Sequence, residues 1–217
     1  MASGRLEQLA KRVETLERSI EKCGISYNQA RIMAFFRQQN LMSPVWKWTP
    51  EDYYANPLEY RRGILGAASI DHLCKTIVME NTKMHPDHLD DPSYPKYIMV
   101  VVQYTSKLNA EKVMKIMRDY QNARSEKKVA RKYFHYRLAP DEVSQELTGY
   151  GYNAVAPFCT PHTFPIILSK AITELDPGLF WLGGGEVLLK LGMSWQEFAK
   201  TVPECLIEDI IDDEKNQ

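Results

Sequence analysis

Leu6, Leu9, Val13, Leu16, Ile20 and Cys23 recur at alternating spacings of three and four residues, which is the a/d seam of an amphipathic helix with charged flanks. Gly24 ends that helix, and residues 25–39 read as a second one. A seam this short is marginal as an isolated helix, so residues 6–23 must pack on their own domain, on a second copy or on a partner's helix. The stretch SPVWKWTPEDYYANPLEYRR, residues 43–62, holds three prolines and five Trp/Tyr residues. It reads as an irregular connector packed by its aromatics, or as a stacking platform for bases. From residue 64 the pattern shifts to short apolar runs, with strands expected at 75–79, 97–105, 134–138, 164–168, 178–182 and 187–191. Helices are expected over 110–123 and 126–133, after Pro140 and Asp141, and after a capping box of Ser194 and Glu197.

Helices and strands alternate here without a regular βαβ period, so the expected fold class is α+β: a mixed, partly closed β-sheet or barrel flanked by helices, with an N-terminal helical extension. The expected organisation is a heptad helix (1–24), a helix and aromatic connector (25–59), the main domain (60–205) and an acidic tail (206–217). A length of 217 residues with 44% hydrophobic and 25% charged residues suits one main domain with appendages. The longest apolar runs, 98–102 and 164–168, fall far short of the roughly 20 residues of a membrane helix. The first 22 residues carry four acidic groups and resemble neither a secretory signal nor a transit peptide, so a cytoplasmic protein without membrane contact is expected. Cys23, Cys74, Cys159 and Cys205 are widely spaced, without a CxxC pair, and read as reduced thiols.

Charge alters this picture locally. Between Lys107 and Arg137 ten Lys/Arg face three acids, whereas residues 204–217 hold six acids against Lys215. The basic stretch, with Lys112, Lys115, Arg118, Arg124, Lys127, Lys128, Arg131 and Lys132, is a candidate for phosphates of a nucleic acid; a solvated helix face has the same composition. The 81–96 loop gathers His85, Asp87, His88, Asp90 and Asp91, but its three prolines and lack of a regular scaffold favour a solvated loop over a metal site. No metal or cofactor is expected. GxSxG, HExxH, P-loop and GxGxxG patterns are all missing. What remains is one lysine at the head of a strand, in HLCKTIVMEN (72–81), and glycine-rich turns in TGYGYNAVAP (148–157) and WLGGGE (181–186). Glycine turns let backbone approach a ligand or another chain segment closely.

In this order CKTIVMEN, a further strand, a basic helical stretch, GYGYNAVAPF and FWLGGGEVLLKLG resemble the YbaK/prolyl-tRNA-synthetase-associated editing domains, a family of freestanding aminoacyl-tRNA deacylases. The resemblance spans roughly residues 60–202. In that family a lysine followed by Thr or Asn opens a core strand, a Gly-x-x-x-Pro loop follows, and a Gly-Gly turn comes later. Lys75 falls on the functional lysine and Thr76 on the next position. Pro157 falls on the loop proline, which puts Asn153 where glycine is expected. Asparagine tolerates left-handed backbone better than most residues. Gly151 and Ala156 lie in the same loop, Gly183, Gly184 and Gly185 on the later turn, and His162 just beyond the proline.

The resemblance implies hydrolysis of the ester of a misacylated tRNA, with alanyl or cysteinyl tRNA-Pro as the substrate. An ordinary lysine is cationic at neutral pH, so Lys75 is expected to hold or polarise negative charge, with loop N–H groups receiving the oxyanion and water or a cysteinyl thiol attacking. The partner would be tRNA, held by the basic stretch, with an aminoacyl-tRNA synthetase as a further partner and a homodimer through residues 6–23 as another outcome of the heptad helix. The competing reading is a non-catalytic module that binds tRNA or a synthetase through that helix; Asn153 in the glycine position favours it.

Overall fold

The computed structural model describes residues 2–22, 24–89, 91–202 and 204–212, the side chains of residues 2, 3, 7 and 16–22 excepted. The chain divides into two compact units, Met1–Leu41 and Met42–Gln217. The first contains helices α1 (Ala2–Lys22) and α2 (Tyr27–Gln38). Ser26 caps α2 by accepting the Gln29 N–H at 3.1 Å, satisfying one of the donors that a helix start leaves open. On the expected seam Leu6, Leu9 and Val13 are all exposed; the side chains of Leu16 and Ile20, and Cys23 as a whole, lie outside the described set.

The second unit runs β1 (Val45–Trp48), α3 (Leu58–Leu65), β2 (Cys74–Asn81), β3 (Tyr97–Gln103), α4 (Ala110–Arg124), β4 (Tyr136–Leu138), α5 (Asp141–Thr148), β5 (Ile166–Ser169), the single turn α6 (Lys170–Thr173), β6 (Leu179–Gly183), β7 (Leu189–Ser194), α7 (Trp195–Thr201) and β8 (Cys205–Glu208). The fold is α+β. Among the described residues the strands form a three-stranded sheet ordered β1-β7-β6 and a five-stranded sheet ordered β4-β2-β3-β5-β8. Neither closes into a barrel. The larger sheet is mixed: β2 is antiparallel to β3 and β4, whereas β3, β5 and β8 run parallel.

β3 lies at the centre of the larger sheet, and its YIMVVVQ sequence is buried along nearly its whole length, as a strand covered on both faces requires. Ile98, Val100 and Val102 pack with Val113, Met117 and Tyr120 of α4 in one core cluster, which follows from the two-residue period of a strand. The two sheets meet at the head of β2. Leu73 forms an isolated bridge with Trp181 of β6, and its carbonyl accepts the Tyr104 N–H at 2.9 Å. Lys75 is therefore two residues from the junction of the sheets.

Several elements differ from expectation. The 43–48 stretch is not irregular: it supplies β1, which pairs with β7 so that Lys47 opposes Lys190. Residues 126–130 are not helical, and only a 3-10 turn follows at Arg131–Tyr133. Val129 is the one apolar anchor there, so no stripe at three-to-four spacing exists to bury a helix. The capping box at α7 is half formed. Ser194 Oγ accepts the Glu197 N–H at 3.2 Å, but the Glu197 carboxylate instead accepts the backbone N–H groups of Met42 and Ser43, each at 2.9 Å. Ordered structure also continues past residue 205: β8 pairs with β5, Ile210 is buried, and Asp209 and Asp212 pair with Lys112 and Lys107. The acids at 213 and 214 lie outside the described residues. No helix among the described residues is long and apolar enough to cross a membrane.

Candidate functional site

A cavity of about 350 Å³ opens where the sheets meet, and its wall includes Lys75 and Thr76 from β2, Asn153 from the 149–158 loop and Gly183 from the end of β6. Four expected site residues thus come together from three segments distant in sequence. Gly151, Ala156, Pro157, His162, Gly184 and Gly185 do not line it. His162 is exposed, whereas Ala156 and Pro157 are buried behind the loop.

The loop is locked from several sides. Tyr150 donates its hydroxyl to Phe158 O at 2.7 Å, tying the ends of the loop together. Asn153 has a φ of 61°, the left-handed conformation for which glycine is otherwise suited, so the backbone here is glycine-like. Tyr54 donates its hydroxyl to Asn153 O at 3.1 Å. From the other side Gly185 N–H donates to Ala154 O at 3.1 Å, and a Cβ on Gly183 would sit 2.5 Å from Val155 O. The later glycine turn is there because the loop backbone presses against it.

One expectation about chemistry changes with this geometry. The N–H groups of Ala154, Gly184 and Gly185 donate to Gly151 O, Leu189 O and Ala154 O respectively. The first two close their own turns and the third ties the later turn to the loop, so these three N–H groups are already engaged. Lining residues with polar side chains include Lys75, Asn153, Tyr152 and Lys190. Among the described residues no partner takes the Thr76 hydroxyl, which is buried out of reach of solvent. Cys74 also lines the cavity, but burial pushes its thiol well above the ordinary range, which removes it as a nucleophile near neutral pH.

Beside Lys75 the structure gathers a cationic and aromatic cluster that sequence reading did not single out. Lys75 Nζ lies 5.7 Å from the Tyr104 ring centroid. The Arg61 guanidinium lies 5.6, 5.2 and 5.8 Å from the rings of Tyr53, Tyr54 and Tyr104. Lys190, only 4% exposed, donates from Nζ to Tyr54 Oη at 2.8 Å and to Val187 O at 2.6 Å. Burial, reinforced by the charge of Arg61, lowers its pKa from 10.5 to about 7. The signal for Lys190 in the sequence is a lone lysine inside the apolar run VLLKLG. Tyr53 and Tyr54 sit in the aromatic connector, where packing and a ligand wall have the same composition.

The basic stretch is a separate surface. Asn109, Glu111, Lys112, Lys115, Arg118 and Arg131 line a groove of about 380 Å³ on α4. Within it Lys112 pairs with Asp209, Arg118 with Asp119 and Arg131 with Glu111, while Lys115 is exposed. Arg124 lies 3.8 Å from the Tyr120 ring centroid and Lys132 4.8 Å from that of Tyr133. Lys127 is exposed, and Lys128 donates to the carbonyls of Asn122 and Ser125. In the 81–96 loop His85 packs edge-on against His88 and Tyr133, and Asp90 lies outside the described residues. Among the described residues no three His, Cys, Asp or Glu side chains gather as metal ligands.

No family model and no curated protein matches the chain. Solved structures do share its fold. One is described as a candidate trans-editing enzyme for prolyl tRNA synthetase, with a TM-score of 0.65 at 14% identity, covering 87% of this chain and 99% of its own. Another is a scaffold used for epitope backbone grafting by computational design, with a TM-score of 0.64 at 12% identity, covering 87% and 99%. A third, described only as a hypothetical protein, has a TM-score of 0.60 at 16% identity and covers 84% and 99%.

Proposed function

We propose that the chain is an aminoacyl-tRNA deacylase of the YbaK-like class, acting in trans on misacylated tRNA, with alanyl and cysteinyl tRNA-Pro as its substrates. The observation that carries this reading is the convergence of Lys75, Thr76, Asn153 and Gly183 on one cavity, in a fold shared with a candidate trans-editing enzyme. The Asn153 departure would weaken the reading if it reshaped the loop, but its φ of 61° keeps the glycine-like conformation.

In this reading Lys75 attracts the phosphate or polarises the ester carbonyl at the 3′ end of the tRNA. Water adds to that carbonyl, the bond to the ribose oxygen breaks, and the ribose leaves as an alcohol carrying the proton. The protein needs no nucleophile of its own for this step, in keeping with the protonated Cys74 thiol. For a cysteinyl substrate the substrate's thiol is a second nucleophile, and the vicinal ribose hydroxyl assists in either case. The α4 groove with Lys112, Lys115, Arg118 and Arg131 would hold backbone phosphates. This activity belongs in the cytoplasm, where misacylated tRNA arises.

The heptad helix would dock on a synthetase or on a second copy through residues 6–23. Size-exclusion chromatography with and without residues 1–25 tests the dimer, which an unchanged oligomeric state contradicts. The deacylase itself is tested by release of labelled alanine or cysteine from tRNA-Pro. Release at the buffer rate by the wild-type protein sinks the reading.

A further inference from the structure

Lys190 is a buried amine with no anion beside it among the described residues. Nothing among the described residues forms an ion pair with it, and its two acceptors, Tyr54 Oη and Val187 O, are neutral. An ammonium carries three N–H donors. Two are accounted for by these bonds, and among the described residues no acceptor takes the third. Leaving a buried charge in this state is costly.

The surroundings add positive charge and little negative charge. Lys47 stands opposite Lys190 in the β1–β7 register but is exposed and outside the cavity wall. Arg61 shares the rings of Tyr53 and Tyr54 with Lys190, and the Tyr104 ring with Lys75. Burial pushes the hydroxyls of Tyr53, Tyr54 and Tyr104 up, so they remain neutral, as does the Cys74 thiol. Tyr152 on the loop is a further phenol in the wall. Asp141 at the start of α5 is the one carboxylate lining the cavity among the described residues, and it is exposed.

We infer that the Lys190 side of the cavity is an oxyanion-binding subsite distinct from Lys75, which takes a carboxylate or phosphate group of the ligand and fills with a proton as it does so. The inference rests on the reading of this cavity as a ligand site, and not on hydrolysis. With only its protein neighbours the amine is poised between its two forms near neutral pH. A bound anion favours the ammonium, supplies the acceptor for its third N–H, and draws a proton from solvent. Two sources could provide the anion: the phosphate of the terminal nucleotide, or an acidic aminoacyl side chain. Both present the same oxygen geometry to the lysine.

Isothermal titration calorimetry in two buffers of different ionisation enthalpy at pH 7.5 counts the protons. Adenosine 5′-monophosphate serves as the phosphate probe, 3′-aspartylamino-3′-deoxyadenosine as the carboxylate probe, and its alanylamino counterpart as the neutral control. From a pKa of about 7, uptake of about 0.7 proton per ligand is expected for an anionic probe that reaches Lys190. Lys190→Met should abolish that uptake while weakening the probe at least tenfold. Uptake with the phosphate probe alone identifies a nucleotide phosphate; uptake with the carboxylate probe alone identifies an acidic aminoacyl group. The inference is overturned if neither anionic probe takes up a proton, if Lys190→Met takes up as many as wild type, or if the neutral control takes up equally many. Proton-coupled binding without any ester hydrolysis would overturn the deacylase reading and leave the subsite standing.

Discussion

The hydroxyl of Tyr54 donates to the carbonyl oxygen of Asn153 at 3.1 Å, so an aromatic residue from the connector after β1 fixes the loop residue that departs from the glycine pattern. Asn153 holds a φ of 61°, which glycine adopts freely and a β-branched residue resists. Asn153→Gly is expected to change stability by less than about 1 kcal/mol, and Asn153→Val to lower it by roughly 1–3 kcal/mol. Urea denaturation of the two variants measures the difference, and equal midpoints would contradict the role given to this backbone conformation.

Tyr54→Phe removes the group between Lys190 and the loop. Asn153 O and Lys190 each lose a hydrogen bond, and the ring with its cation contacts remains. A loss of about 1–2 kcal/mol is expected from denaturant unfolding, accompanied by a lower deacylation rate because the loop is less firmly held. An unchanged rate in a destabilised variant would separate the loop from the chemistry.

Gly183 and Gly151 make a matched pair. A Cβ on Gly183 would meet the Val155 carbonyl at 2.5 Å, whereas one on Gly151 meets nothing within 4 Å. Gly183→Ala should therefore destabilise by about 1–3 kcal/mol, and Gly151→Ala should be neutral or slightly stabilising, by roughly 0.4–1 kcal/mol. Thermal unfolding of both gives the comparison; similar melting temperatures would deny the close approach of the two turns.

Lys190 should make stability rise with pH. Its pKa falls from 10.5 to about 7 on folding, so between these values the unfolded chain holds a proton that the folded one has released. Stability from this group increases as pH rises from 7 towards 10.5, and below 7 its cost is fully present. Replacing it with an apolar residue removes that cost. Lys190→Met is expected to be more stable than wild type at pH 6, by up to about 5 kcal/mol, with the difference shrinking towards pH 10. Denaturant titrations at the two pH values test the trend, and a pH-independent difference would contradict it.

Much of the second unit was legible because its strands obey the two-residue period and its helices carry their own starts. Asn109 caps α4 by accepting the Lys112 N–H at 3.0 Å; β2 largely alternates in burial, whereas β3 is a continuous apolar run buried nearly throughout. Strand β1 was hidden by prolines on either side of VWKW, since its pairing with β7 depends on a segment more than 140 residues away. Residues 126–133 looked helical by composition, yet charge does not bury a face. In the candidate site Lys75 stood out by its position before an apolar run. Lys190 did not, because a lysine inside a strand signals a site only once the sheet, the connector tyrosines and Arg61 are brought around it. The glycine turns were visible, but whether their N–H groups faced a ligand or each other depended on how the loop and the turn dock.

The most direct test of the deacylase reading is the single-turnover rate of amino-acid release from alanyl and cysteinyl tRNA-Pro, measured for wild type and Lys75→Ala together with tRNA binding by both. The account predicts release well above the buffer rate by wild type, and at least a tenfold loss in Lys75→Ala, about 1.4 kcal/mol of transition-state stabilisation, with the variant still folded. Release at the buffer rate by wild type that nevertheless binds tRNA, or a Lys75→Ala variant as fast as wild type, would contradict it.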